Sequence, residues 1–136
     1  MQTGRLLELR TLEELNTCIY SRCSFKNLFG DSVIVTVEEC QKHINLSARS
    51  FTWSTGAKLL LSKTSFRSYV KTISEARKAF RAAKKPAELA RKIAIEAGMK
   101  RSKANYQFHK TITPQRNACR LVEAAAFANA YNSDVI

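Results

Sequence analysis

Residues 88–112 read ELARKIAIEAGMKRSKANYQFHKTI, and the fold turns on how this stretch is divided. An alanine-rich helix runs to Ala97. Gly98 then supplies a left-handed corner, which only glycine adopts at no steric cost. A basic turn, Met99-Lys100-Arg101, leads into a second segment that Ser102 can cap. Two helices meeting at a glycine corner are therefore expected here, with a strand over NYQFH (105–109) as the alternative to the second, in a chain whose charge is concentrated around them.

The 136-residue chain carries a formal charge of +12. Residues 1–62 hold seven Lys/Arg and six Asp/Glu, whereas residues 63–136 hold sixteen and five. Such asymmetry points to a polyanionic partner for the second half, nucleic acid foremost. With 45% hydrophobic residues a packed interior is expected. The N-terminus alternates leucines with charges and lacks a signal-peptide core, and no apolar run is long enough for a membrane span. A cytoplasmic protein with no membrane partner is the expectation.

The predicted fold class is mainly α with a small β element. A near-neutral α/β portion over 1–62, serving as core or dimerisation surface, precedes a basic helical portion over 63–136. In the first portion RLLELR (5–10) is either a short strand or the approach to a helix. Thr11 and Glu14 form a capping-box pattern ahead of a helix over about 12–22. CSFKNLFGDS turns the chain, and SVIVT is the best strand. Thr36 and Glu39 form a second capping box, opening a helix that ends near Asn45. The stretch ARSFTWSTGAKLLLSK is either a hairpin about STGA or a helix capped by Ser47, in which case a weaker helix-turn-helix spans the region. Phe51 and Trp53 belong to the core.

In the second portion Phe66, Tyr69, Val70, Ile73, Ala76, Phe80 and Ala83 recur at helical spacing. On the other face Arg67, Lys71, Lys78, Arg81 and Lys85 fall within about 40° of one line at 100° per residue. Glu75 is the one acid in that helix, so the cations form a ridge suited to phosphates rather than to local ion pairs. Pro86 fits the first turn of a new helix, and Thr113-Pro114 opens a final one. Four consecutive helices are predicted.

The residues about Gly98 resemble the helix-turn-helix family of DNA-binding proteins over residues 90–109. Ile93 and Ala94 match the apolar and small positions of the first helix, Ala97 the second inward position, Gly98 the corner and Met99 the apolar residue behind it. Ala104 matches an inward position of the second helix. Gln107 stands where the pattern has an aliphatic residue, and Phe108 fills that space if the turn is one residue longer. The resemblance implies a regulator of transcription. Lys100, Arg101, Ser102 and Lys103 would then lie near the duplex, with Asn105, Tyr106 and Gln107 reading bases. The ridge with Arg91 and Lys92 would hold phosphates. Duplex DNA, a homodimer and contact with transcription machinery are the partners implied. A basic RNA-binding or ribosome-associated protein, or a mobile-element adaptor docking on an acidic protein, are the alternatives.

No enzyme is expected, because His43 and His109 lack a Ser/Cys and carboxylate in a catalytic arrangement. No P-loop or dinucleotide fingerprint occurs, and no cofactor is implied. The cysteines Cys18, Cys23, Cys40 and Cys119 read as reduced thiols. Cys18, Cys23, Cys40 and His43 have a zinc-like spacing, but Cys18 and Cys23 would diverge by about 140° on a shared helix, so no metal is expected.

Overall fold

The computed structural model describes residues 4–17, 19–44 and 53–134. Its elements in chain order are β1 (Arg5–Glu8), α1 (Leu9–Glu14), α2 (Ile19–Phe29), β2 (Ser32–Val35), α3 (Val37–Gln41), α4 (Trp53–Leu60), α5 (Lys63–Glu96) and α6 (Arg101–Ser133). The class is mainly α with one two-stranded antiparallel sheet, as the composition of the segments implied.

The strands pair Arg5 with Val35, Leu6 with Ile34, Leu7 with Val33 and Glu8 with Ser32. Period-two alternation sends Leu7 and Val35 into the interior and leaves Leu6 and Ile34 exposed. Arg5 therefore shares the inner face, and it uses that position to hold the end of α6. Its Nη1 donates to the carbonyls of Tyr131 at 2.6 Å and Asp134 at 2.8 Å. The guanidinium lies 4.4 Å from the centre of the Tyr131 ring. Last-turn carbonyls have no partner within their own helix, and here an arginine supplies one.

The expected helix over 12–22 is instead two helices. Leu9–Glu14 ends in a turn where Asn16 takes φ 56°, a left-handed conformation that asparagine tolerates better than most residues. Thr17 Oγ1 then closes the turn by donating to the Leu12 carbonyl at 3.0 Å. Thr11 lies inside α1 rather than capping it, and Glu8 occupies the cap without a side-chain bond. The stretch CSFKNLFGDS is mostly helix α2, not a turn. The reversal comes at Gly30, with φ 74°, after Phe25 has been driven fully into the core. Thr36 does cap α3, accepting from the Glu39 amide at 3.0 Å, and that helix stops at Gln41. Residues 53–60 are helical, so the hairpin alternative is set aside. The Ser47 cap and the Phe51 and Trp53 core assignments lie outside the described side chains.

The larger correction concerns the second portion, where two long helices replace four. Pro86 and Pro114 lie within α5 and α6 rather than at their starts. An interior proline costs about 3 kcal/mol, and both helices nevertheless run on. A shared seam runs past both prolines. Ala76, Phe80, Ala83, Ala87, Ala90 and Ala94 of α5 line cavities shared with Ala104, Phe108, Thr111, Gln115, Cys119 and Val122 of α6. These positions step by threes and fours, the spacing of an antiparallel helix pair. Stopping at either proline would forfeit the rest of that seam.

One core joins the two portions. Leu7, Leu12, Phe25, Val35, Cys40, Ala57 and Leu61 pack with Tyr69 and Ile73 of α5 and with Ala124, Phe127, Ala128 and Tyr131 of α6. Phe127 stacks on Tyr131 at 5.7 Å and meets Tyr69 edge-on at 6.5 Å. Ser62 caps α5 through the Ser65 amide, while the Asp134 carboxylate accepts from the Ser62 amide at 2.7 Å and the Ser65 hydroxyl at 3.1 Å. The start of α5 and the end of α6 are thus tied at the head.

Beyond Ile73 no residue of α5 is buried, and between Arg101 and Arg120 only Ala104, Phe108, Ile112 and Cys119 of α6 are. These stretches line cavities along a shared α5–α6 seam. They form an arm projecting from the head by about 35 Å at 1.5 Å per residue.

Candidate nucleic-acid interface

The arm's tip is the glycine corner. Gly98 has φ 100°, its amide donates to the Ile95 carbonyl at 3.1 Å, and the Met99 amide donates to Ala94 at 3.0 Å. This paired closure is a left-handed helix terminator; Ala94 and Met99 are half-buried beside it, whereas Ile93 and Ala97, expected to face inward, are exposed. Past the corner the resemblance ends. In the DNA-binding motif the second helix crosses the first steeply. Here α6 turns back and lies antiparallel along α5: Arg91 covers Phe108, Arg77 reaches Glu123, and Tyr69 meets Phe127. The short crossing pair is replaced by a hairpin, because the alanines at the seam let the axes approach along their whole length.

Charge on the arm is one-sided. Residues 74–120 carry thirteen Lys/Arg against three Asp/Glu, so the rest of the chain is close to neutral. Arg67, Lys71, Lys78, Arg81 and Lys85 are all exposed, on the side of α5 turned away from α6. None of the five enters an ion pair among the described residues. Off the ridge the pattern reverses. Arg77 Nε donates to Glu123 at 2.7 Å, a bond that raises the Arg77 pKa, and Lys84 pairs with Glu88 at 3.5 Å. Glu123 and Glu88 each neutralise a cation beside the ridge, while Glu75 and Glu96 form no ion pair among the described residues.

The remaining predicted residues divide by environment. Lys92, Lys100, Arg101, Ser102 and Lys103 are exposed near the tip, and Lys92 extends the α5 ridge line. Arg91 is half-buried with its guanidinium 3.9 Å from the centre of the Phe108 ring. That contact holds the guanidinium beside the seam, off the ridge line. Asn105 is half-buried, Gln107 borders a 120 Å³ seam cavity, and Tyr106 is 68% exposed. Asn105, Tyr106 and Gln107 point in three directions around α6 and do not converge as base-reading groups of one helix face.

Lys110, Arg116 and Arg120 also lie on the arm, although helical periodicity and the corner motif do not single them out. Between Ala97 and Val122 the sequence has no Asp or Glu, and that acid-free run is the signal that points to them. Dividing the run at Pro114 hides it. Of the four residues with zinc-like spacing, Cys40 is buried, Cys23 is exposed, and His43 sits edge-on to Phe29 beside Glu39. Cys18 lies outside the described residues, and among those described no cluster could hold a metal ion. No helix among them is long and apolar enough to cross a membrane.

Comparison with protein-family models, with curated proteins and with solved structures finds no match.

Proposed function

We propose that this protein binds duplex nucleic acid, DNA in the first instance, by laying its basic helical hairpin against the phosphate backbone. The observation that carries the reading is the row of exposed, unpaired cations along α5, which starts at the head and runs out along the arm. Phosphate contacts of this kind give affinity and orientation but little sequence information. An α-helix fits the roughly 12 Å major groove of B-DNA, whereas the major groove of A-form RNA is too narrow. The helix-turn-helix mode of base reading is not part of the proposal, because α6 lies alongside α5.

The test is a salt titration of binding to a blunt DNA duplex and to a blunt RNA duplex by fluorescence anisotropy, between about 50 and 200 mM salt. Each phosphate contact contributes about 0.9 to the slope of log K against log salt. The variant Lys71→Gln/Lys78→Gln/Lys85→Gln should therefore flatten the slope by about 2.7 for all sequences alike. Absence of duplex binding at the lowest salt, or a slope unmoved by the triple variant, overturns the proposal.

A further inference from the structure

The outward side of α6 differs from the ridge in kind. Ala104, Phe108 and Ile112 are buried against α5, which fixes the rotation of α6 and turns Lys103, Tyr106 and Lys110 away from the seam. At 100° per residue these three fall within about 60° of one another. Tyr106 has the greatest exposure of any large apolar side chain among the described residues, at 68%, and its ring has no aromatic or cationic neighbour among them. Lys103 stands one turn before it and Lys110 one turn after, about 10 Å apart along the axis. No carboxylate competes for these lysines on this stretch of α6.

An aromatic face flanked on each side by a flexible cation suits one nucleotide: a base stacks on the ring, and the long lysine stems reach the phosphates on either side. A paired base inside a duplex has both faces covered and cannot use the site. We infer that Tyr106, Lys103 and Lys110 form a stacking site for an unpaired nucleotide. The inference rests on the phosphate-binding reading of α5 and adds the substrate class. The ridge and the Tyr106 face lie on opposite edges of the two-helix arm. A substrate that meets both edges at once is branched, with duplex along α5 and an unpaired strand along α6. A forked duplex has that form.

The test compares a blunt duplex with the same duplex carrying unpaired oligothymidine tails at one end. Wild-type protein, Tyr106→Ala and Tyr106→Phe are titrated by anisotropy, and circular dichroism checks that each is folded. Stacking contributes about 1–3 kcal/mol per base, so wild type and Tyr106→Phe should prefer the fork by roughly 5- to 150-fold. Tyr106→Ala should lose that preference while binding the blunt duplex as wild type does. Equal wild-type affinity for fork and blunt duplex sinks this inference and leaves the phosphate reading standing, as does a fork preference that survives in Tyr106→Ala. Failure to bind either probe removes both. Uridine-tailed RNA forks run in parallel show whether the sugar matters.

Discussion

Replacing Arg5 by methionine should destabilise the protein more than any other single change to a surface-reaching cation. Methionine keeps an apolar stem over Tyr131 and removes the guanidinium alone. Two charge-assisted hydrogen bonds, to the carbonyls of Tyr131 and Asp134, are lost. Bonds of this kind contribute about 1.5–3 kcal/mol each. Arg5 is only half-buried, so the low end of that range applies. The ring contact at 4.4 Å adds about 0.5–1 kcal/mol, which one methionine thioether replaces in part. The expected loss is about 3 kcal/mol. With an unfolding entropy near 2.1 cal/mol/K per residue, that corresponds to a fall in Tm of about 10 °C for a chain this long. Urea denaturation followed by circular dichroism gives the free energy, and a thermal scan gives the Tm. Arg10→Ala is the control, because Arg10 is 75% exposed and holds only long surface pairs; its effect should stay within about 0.5 kcal/mol. If Arg5→Met falls within that same margin, the end of α6 is held by something other than this arginine.

Hydrogen bonds from the Ser62 side chain, the Ser62 amide and the Ser65 hydroxyl hold the Asp134 carboxyl below its ordinary value. A depressed carboxyl stabilises the fold above the unfolded pKa, and that contribution is lost as pH falls through the folded value. Stability measured from neutral pH down into the acid range should therefore drop less steeply in Asp134→Asn than in wild type. Burial, with Glu39 adding to it, pushes the Cys40 thiol up to about 12. The thiolate is the reactive form, so at neutral pH iodoacetamide should label exposed Cys23 well before Cys40, as peptide mass spectrometry would report. The raised thiol also means that stability falls as pH climbs past the unfolded cysteine value near about 8.5.

Local chemistry is legible wherever one residue decides the backbone. Gly98 and the Thr36 cap are settled by a short stretch of chain. SVIVT is as plain as a strand, because β-branching and alternation agree. Asn16 gives no such signal, since asparagine reaches the left-handed region only as one option among several. The prolines mislead for a different reason. Propensity treats Pro86 and Pro114 as boundaries, whereas the seam's three-and-four spacing crosses both without a fault. Packing of half-buried Phe80 and buried Phe108 among alanines outweighs two missing amides, and a single helix considered alone has no access to that gain. The ridge is readable because it depends on one helix only. The site on α6 is not, because its rotation is set by what Ala104 and Phe108 face.

The two prolines lie at the same height on the arm. Ala83 and Ala87 bracket Pro86 while Thr111 and Gln115 bracket Pro114, and the cavities on either side pair these same levels. Pro86 leaves the Ala82 carbonyl without its helical donor, and Pro114 does the same to Lys110. Thr111 and Thr113 donate their hydroxyls to the carbonyls of Gln107 and His109 at 2.8 and 2.6 Å, a back-bonding that tends to bend a helix. Two rods weakened at one level share a waist. About halfway along the arm, packing across the seam takes over where each helix lacks one bond of its own ladder.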